Sequence, residues 1–181
     1  MTTYRLFTAI DISDQARAAV ARICAGIPGV RWVDQSQLHL TLRFIGDAEV
    51  SLFERIRNGL AGIDAVPFEL SLLGVGRFPP KRDPRVLWVG VAPNEALTRL
   101  QRLVEQALVR CGVEPEGREF SPHITLARLK DVPFSRVASF LEANRDFSTP
   151  LFPVTEFHLY SSSLTPHGAI HKREATYHLK G

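Results

Sequence analysis

At 181 residues, with 45% hydrophobic and 23% charged side chains and a net charge of +3, the chain suits one globular domain. Those fractions exclude intrinsic disorder and low-complexity repeats, and no run of about 18 uncharged apolar residues is present to span a membrane. Cys24 and Cys111 are too few for a disulfide framework or a four-thiolate zinc site, and Arg5 interrupts the only candidate signal stretch, so a reducing, cytoplasmic setting is expected.

Residues 4–10 alternate as a strand, and Asp11 or Ser13 is placed to cap a helix over 14–26. The clearest strand spans 37–45. A helix over 49–62 and a strand over 66–75, bending at Gly74-Val-Gly76, follow. The segment from Phe78 to Pro84 carries three prolines and cannot be regular structure. Beyond it the order recurs: strand 85–91, helix 94–111 opening at Asn94, strand 119–128, helix 133–144, strand 152–161, and a closing strand over 170–179.

The recurrence extends to residues. Leu38-His-Leu-Thr-Leu42 returns as Pro122-His-Ile-Thr-Leu126, an offset of 84 from His39 to His123, and Asp47, Phe53, Ile56, Phe68 and Leu70 meet Asp131, Val137, Phe140, Phe152 and Val154 in the same register. Two copies are too few for a solenoid and predict two similar lobes about a pseudo-twofold axis. The expected fold is α+β: a single bilobal domain over 1–181, with halves of about 1–84 and 85–181. Each lobe is an antiparallel sheet with helices on its outer face, and a groove separates the lobes.

Strict period-two alternation turns Leu38, Leu40, Leu42 and Phe44 inward and His39, Thr41 and Arg43 outward; in the second copy His123, Thr125 and Ala127 share the outer face. Burying such polar pairs face to face without water is costly, so both pairs should line the groove. Two imidazoles suit paired proton transfer, one ring taking a proton from a nucleophile and the other giving one to a leaving group. Two hydroxyls suit a phosphoryl group between them. No carboxylate lies within two residues of either histidine, so neither metal nor other cofactor is expected.

These motifs resemble the paired His-x-Thr signatures of the two-histidine phosphoesterases, and within them the RNA 2′,3′-cyclic phosphodiesterases, also called 2′–5′ RNA ligases. The likeness runs through Arg5-Leu-Phe-Thr-Ala-Ile10, Phe44-Ile-Gly46, Leu73-Gly-Val-Gly-Arg-Phe78, Arg85-Val-Leu-Trp-Val-Gly90, Pro122-His-Ile-Thr-Leu-Ala-Arg128 and Leu159-Tyr-Ser-Ser162. It implies hydrolysis of an RNA-terminal 2′,3′-cyclic phosphate to a 2′-phosphomonoester, with His39 as proton donor and His123 as proton acceptor. The implied partners are RNA or oligonucleotide ends bearing that group; no membrane partner and a monomeric state are expected. Ligation at the same site, hydrolysis of a small cyclic nucleotide and a non-catalytic RNA-binding module are the alternatives.

Thr41 and Thr125 are assigned to phosphate. Arg43 shares the His39 face and suits phosphate, though a solvated strand-end charge fits it equally. Arg128 matches an arginine that follows the family's second motif, but alternation turns it from His123 unless a bulge or the strand's end brings it into the groove. Phe7, Trp32 and Tyr160 fit a base-stacking face or the core alike. Arg77, Lys81, Arg82 and Arg85 flank the proline-rich loop and suit an RNA backbone or plain solvent. His167 and His171 have helical metal-ligand spacing, but Pro166 and Gly168 favour a turn. His158 and His178 read as structural.

Overall fold

The computed structural model describes residues 3–81, 83–166 and 168–180. The first half contains β1 (Thr3–Asp11), α1 (Asp14–Ile23), a short β2 (Arg31–Trp32), a 3-10 turn (Gln35–Gln37), β3 (His39–Glu49), α2 (Val50–Leu60), β4 (Phe68–Leu70) and β5 (Leu72–Phe78). The second contains β6 (Val86–Val91), α3 (Glu95–Arg110), β7 (His123–Arg128), α4 (Phe134–Ala143), β8 (Phe152–Val154), β9 (Glu156–Thr165) and β10 (Gly168–His178). The expected α+β architecture holds: four-stranded antiparallel sheets ordered β10-β9-β1-β3 and β2-β7-β6-β5 form the two lobes. Among the described residues no helix is long and apolar enough to cross a membrane.

The repeats exchange strands. The strands expected over 66–75 and 152–161 each break in two, at Ser71 and Thr155, positions 84 residues apart. The leading pieces, β4 and β8, pair with each other, Glu69 opposite Pro153. The trailing pieces cross over: β5 from the first half joins β6, and β9 from the second joins β1. Each lobe is therefore completed by chain from the other half.

The helices start where their caps dictate. Ser13 Oγ accepts the Ala16 N–H at 3.1 Å, leaving Asp11 in β1 opposite His39, and Asn94 Oδ1 accepts the Leu97 N–H at 2.9 Å. α3 buries Leu97, Leu100, Val104, Ala107 and Leu108 at helical spacing, and α2 and α4 bury the equivalent pairs Phe53/Ile56 and Val137/Phe140. Each large side chain buried in this way contributes about 1.5–3 kcal/mol. Gly74, at φ +70°, bends the strand as expected, and Gly76 leaves the space that the Trp88 indole fills: a Cβ there would lie 2.1 Å from the ring.

Both motif strands carry a bulge at the same repeat position. Opposite the step from Thr8 to Ala9, the β3 partner jumps from Arg43 to Thr41, leaving Leu42 extra. Opposite the step from Leu87 to Trp88, the β7 partner jumps from Ala127 to Thr125, leaving Leu126 extra. An extra residue swaps the two faces of everything beyond it. Strict alternation therefore fails after Thr41: Arg43 turns inward and is 9% exposed, whereas Phe44, expected in the core, is 43% exposed.

Candidate active site

The cleft between the lobes has a volume of about 850 Å³, and its lining includes His39, Thr41, His123, Thr125, Phe44 and Arg128. β3 and β7 supply the six, and the two bulges decide the last two. The second bulge brings in Arg128, which alternation alone turns away.

The two imidazoles are held identically. His39 Nδ1 lies 2.7 Å from the Gln37 carbonyl oxygen, and His123 Nδ1 lies 2.7 Å from that of Ser121, the same repeat position. A carbonyl oxygen only accepts, so each Nδ1 carries the hydrogen and Nε2 is the nitrogen left for the cleft. For His39 the approach is fixed further by Arg17 of α1, whose guanidinium donates to the carbonyls of Gln35 and, at 3.2 Å, Leu38.

Behind the rings the symmetry ends. His39 stacks on Phe7 at 4.9 Å between centroids, and Phe7 stacks on Tyr160 at 5.3 Å. His123 is met edge-on by Phe78 at 5.0 Å. Burial pushes the His39 ring down to about 4, with the Gln37 carbonyl and Asp11 opposing and His171 and Arg17 adding to the shift. Without a ligand His39 is therefore neutral at pH 7, and an anion beside Nε2 is what favours its charged form.

Other sequence candidates fall elsewhere. Arg43 is committed beneath the sheet: Nε donates to Glu105 at 2.6 Å, Nη2 to the Glu114 carbonyl at 2.7 Å, and Nη1 to the Phe44 carbonyl. It is a clamp between β3, α3 and the chain after α3, not part of the cleft lining. Tyr160 is likewise outside the lining; its hydroxyl donates to Asp11 Oδ1 at 2.7 Å, and burial first, then Asp11, pushes it up to about 12. Phe7 and Trp32 do line the cleft. Arg77, Lys81 and Arg85 do not; Arg77 lies over the Phe134 ring at 4.4 Å. Arg82 and His167 lie outside the described residues. His158 is structural, its Nδ1 3.0 Å from Thr176 Oγ1. Among the described residues no cluster of three His, Cys, Asp or Glu is arranged to hold a metal ion.

Sequence reasoning gave no site role to Arg5, Arg31 or His171, which also line the cleft. Arg5 lies over the Phe44 ring at 5.2 Å, and Arg31 pairs with Arg128 across β2 and β7. Their positions rest on strand pairings between distant segments. Only the hairpin of β9 and β10, which sets His171 opposite Ser162, had a local sequence signal, in Pro166 and Gly168.

A family model described as the 2′-5′ RNA ligase superfamily matches residues 12–165. The chain belongs to this superfamily. A relative from Archaeoglobus fulgidus named RNA 2′,3′-cyclic phosphodiesterase is 36% identical over 174 residues, covering 93% of this chain and 96% of that protein. A Methanothermobacter thermautotrophicus relative of the same name is 35% identical, covering 92% and 94%. Among solved structures, that of Escherichia coli LigT complexed with 3′-AMP superimposes with a TM-score of 0.79 at 27% identity, over 99% of this chain and all of that one. The superfamily's fold and this chain's fold are the same.

Proposed function

We propose that the protein is an RNA 2′,3′-cyclic phosphodiesterase that opens an RNA-terminal 2′,3′-cyclic phosphate to a 2′-phosphomonoester. The observation that carries this reading is the matched pair of imidazoles, each with Nδ1 tied to the backbone and Nε2 left for one cleft. His123 Nε2 takes a proton from water as the oxygen attacks phosphorus. The bond from phosphorus to the 3′-oxygen breaks, and His39 Nε2 gives that oxygen its proton. Thr41 and Thr125 donate to the non-bridging oxygens, where charge builds in the transition state, and Arg128 neutralises part of it.

The environment supports this division of labour. Asp11, opposite His39 in the sheet, favours a charged His39; the residue opposite His123 is Gly90. The anionic phosphodiester adds to the pull of Asp11 and offsets the burial that keeps the empty site neutral. Arg5, Arg31 and the exposed face of Phe44 extend the cleft with groups that suit further phosphates and a stacked base, which favours an RNA end over a free mononucleotide.

The test is incubation of the purified chain with an oligonucleotide ending in a 2′,3′-cyclic phosphate, in EDTA, with the product end identified by mass and by phosphatase sensitivity. A 2′-phosphomonoester at undiminished rate is expected. A 3′-phosphomonoester would reverse the assignment of the leaving oxygen. Activity lost in EDTA and restored by a divalent ion would refute the acid–base scheme.

A further inference from the structure

The proposed reaction leaves the His171 imidazole, which lines the cleft, without a task. His171, on β10, stands nearly perpendicular to two rings at once: 79° to Phe7 with centroids 4.9 Å apart, and 84° to His39 at 5.3 Å. Phe7 and His39 are themselves stacked at 4.9 Å, so the three rings close a triangle. His171 Nδ1 is buried and has no hydrogen-bond partner among the described residues. A protonated imidazole has two N–H donors, so charging His171 would bury an N–H with no acceptor among the described residues. Burial favours the neutral ring, which covers one side of the His39 imidazole.

We propose that His171 is a positioning residue for the phosphodiester reaction: its neutral ring locks the His39 imidazole against Phe7 and keeps water from it, so that His39 carries a proton only while an anionic phosphate occupies the cleft. This rests on the reading of the cleft as a phosphodiester site. The charged and titratable groups that face His39 are Asp11 from β1, Arg17 from α1, His171 from β10 and, on β9, Tyr160, whose ring stacks on Phe7 and lies 6.4 Å from the His39 ring and whose hydroxyl meets Asp11 together with Arg173. Asp11 alone is anionic, and Arg173 and Tyr160 partly satisfy it. The phosphate is thus the added negative charge that makes His39 an acid. A solvated His39 would hold its proton at mildly acidic pH without substrate, and its ring would be held only by the Gln37 carbonyl and Phe7.

The test uses the full chain carrying His171→Ala or His171→Phe. The His39 ring is titrated by NMR with and without inorganic phosphate, and kcat and KM are measured across pH on the cyclic-phosphate oligonucleotide. Wild-type His39 should stay neutral well below its ordinary range and gain a proton at higher pH when phosphate is added. His171→Ala should move the phosphate-free titration up by about one unit or more and shrink the phosphate-induced change. It should also lower kcat by about tenfold with less effect on KM, within the ~10²-fold that a misplacement of about 1 Å costs. His171→Phe, dry and aromatic, should restore both. A His171→Ala protein with a lower Tm but unchanged His39 titration and pH profile would make the residue merely structural and overturn the proposal. So would His171→Phe behaving like His171→Ala. If the wild type fails to open the cyclic phosphate, the functional reading falls, while the ring titration still decides the role of His171.

Discussion

Replacing Arg43 separates the structural reading of the motif strand from the periodic one. Alternation puts this arginine beside His39 on phosphate; the bulge at Leu42 instead puts it beneath the sheet, 9% exposed, with Glu105 at 2.6 Å and the Glu114 carbonyl at 2.7 Å. Arg43→Met would strand the Glu105 carboxylate next to the core. Breaking a buried ion pair from one side costs about 3–5 kcal/mol; because Glu105 is 22% exposed, water recovers part, and about 2–4 kcal/mol is expected. For a chain of this size each kcal/mol moves Tm by about 2–4 °C, so a fall of about 5–15 °C should appear by calorimetry. Adding Glu105→Gln removes the stranded charge while keeping an oxygen for the Glu116 N–H, which Glu105 Oε1 accepts at 2.8 Å, and should recover about half of the loss. In the same proteins, assayed below their melting range, KM for the cyclic phosphate should stay within about threefold of wild type, an effect under 1 kcal/mol. An Arg43→Met protein that melts normally but binds substrate tenfold more weakly would refute the bulge argument.

Substituting Ala for His39 or His123 should lower kcat by about 10²–10⁴-fold with folding intact, each variant losing one limb of a bell-shaped pH profile; near-wild-type turnover in both would favour a binding module instead. Thr41→Val and Thr125→Val keep the β-branched packing and delete one donor to a charged group, so losses of about 10–10²-fold in kcat/KM are expected from single-turnover rates, smaller than for the histidines. Stability should fall with acid in a window set by His39. Its ring titrates near 6.5 when unfolded and near 4 when folded, so between those values only the unfolded chain binds the proton. The contribution is complete above about pH 6.5 and is lost as pH falls toward 4, by roughly 2–3 kcal/mol, and His158 and His171, also pushed down by burial, act in the same direction. Urea midpoints at several pH values should show a steeper decline for wild type than for His39→Ala; equal slopes would contradict the burial of His39.

Local information carries much of this protein because helix caps, strand alternation and turn residues act over a few neighbours. Ser13 and Asn94 start their helices as side-chain acceptors for nearby N–H groups, Gly74 bends its strand through a φ that side chains disfavour, and the 84-residue repeat states outright that His39 and His123 are equivalent. The register of strands from distant parts of the chain is different in kind. Ser71 and Thr155 carry no mark that the strand should break there and cross to the opposite lobe, since either sheet would satisfy the same backbone hydrogen bonds. The bulge at Leu42 lies in unbroken apolar alternation, and although Ala127 follows Leu126 directly, only the partner strand fixes which residue is extra. Those bulges bury Arg43, open Phe44 to solvent and deliver Arg128 to the cleft. The hairpin of β9 and β10, docked on β1 rather than on its own half, brings His171 against His39. The motif therefore marks the two histidines proposed as acid and base, while the pairing of distant strands decides which arginine joins them in the cleft and which third histidine packs beside His39, because a side chain's direction in a sheet depends on its partner's register as much as on its own sequence.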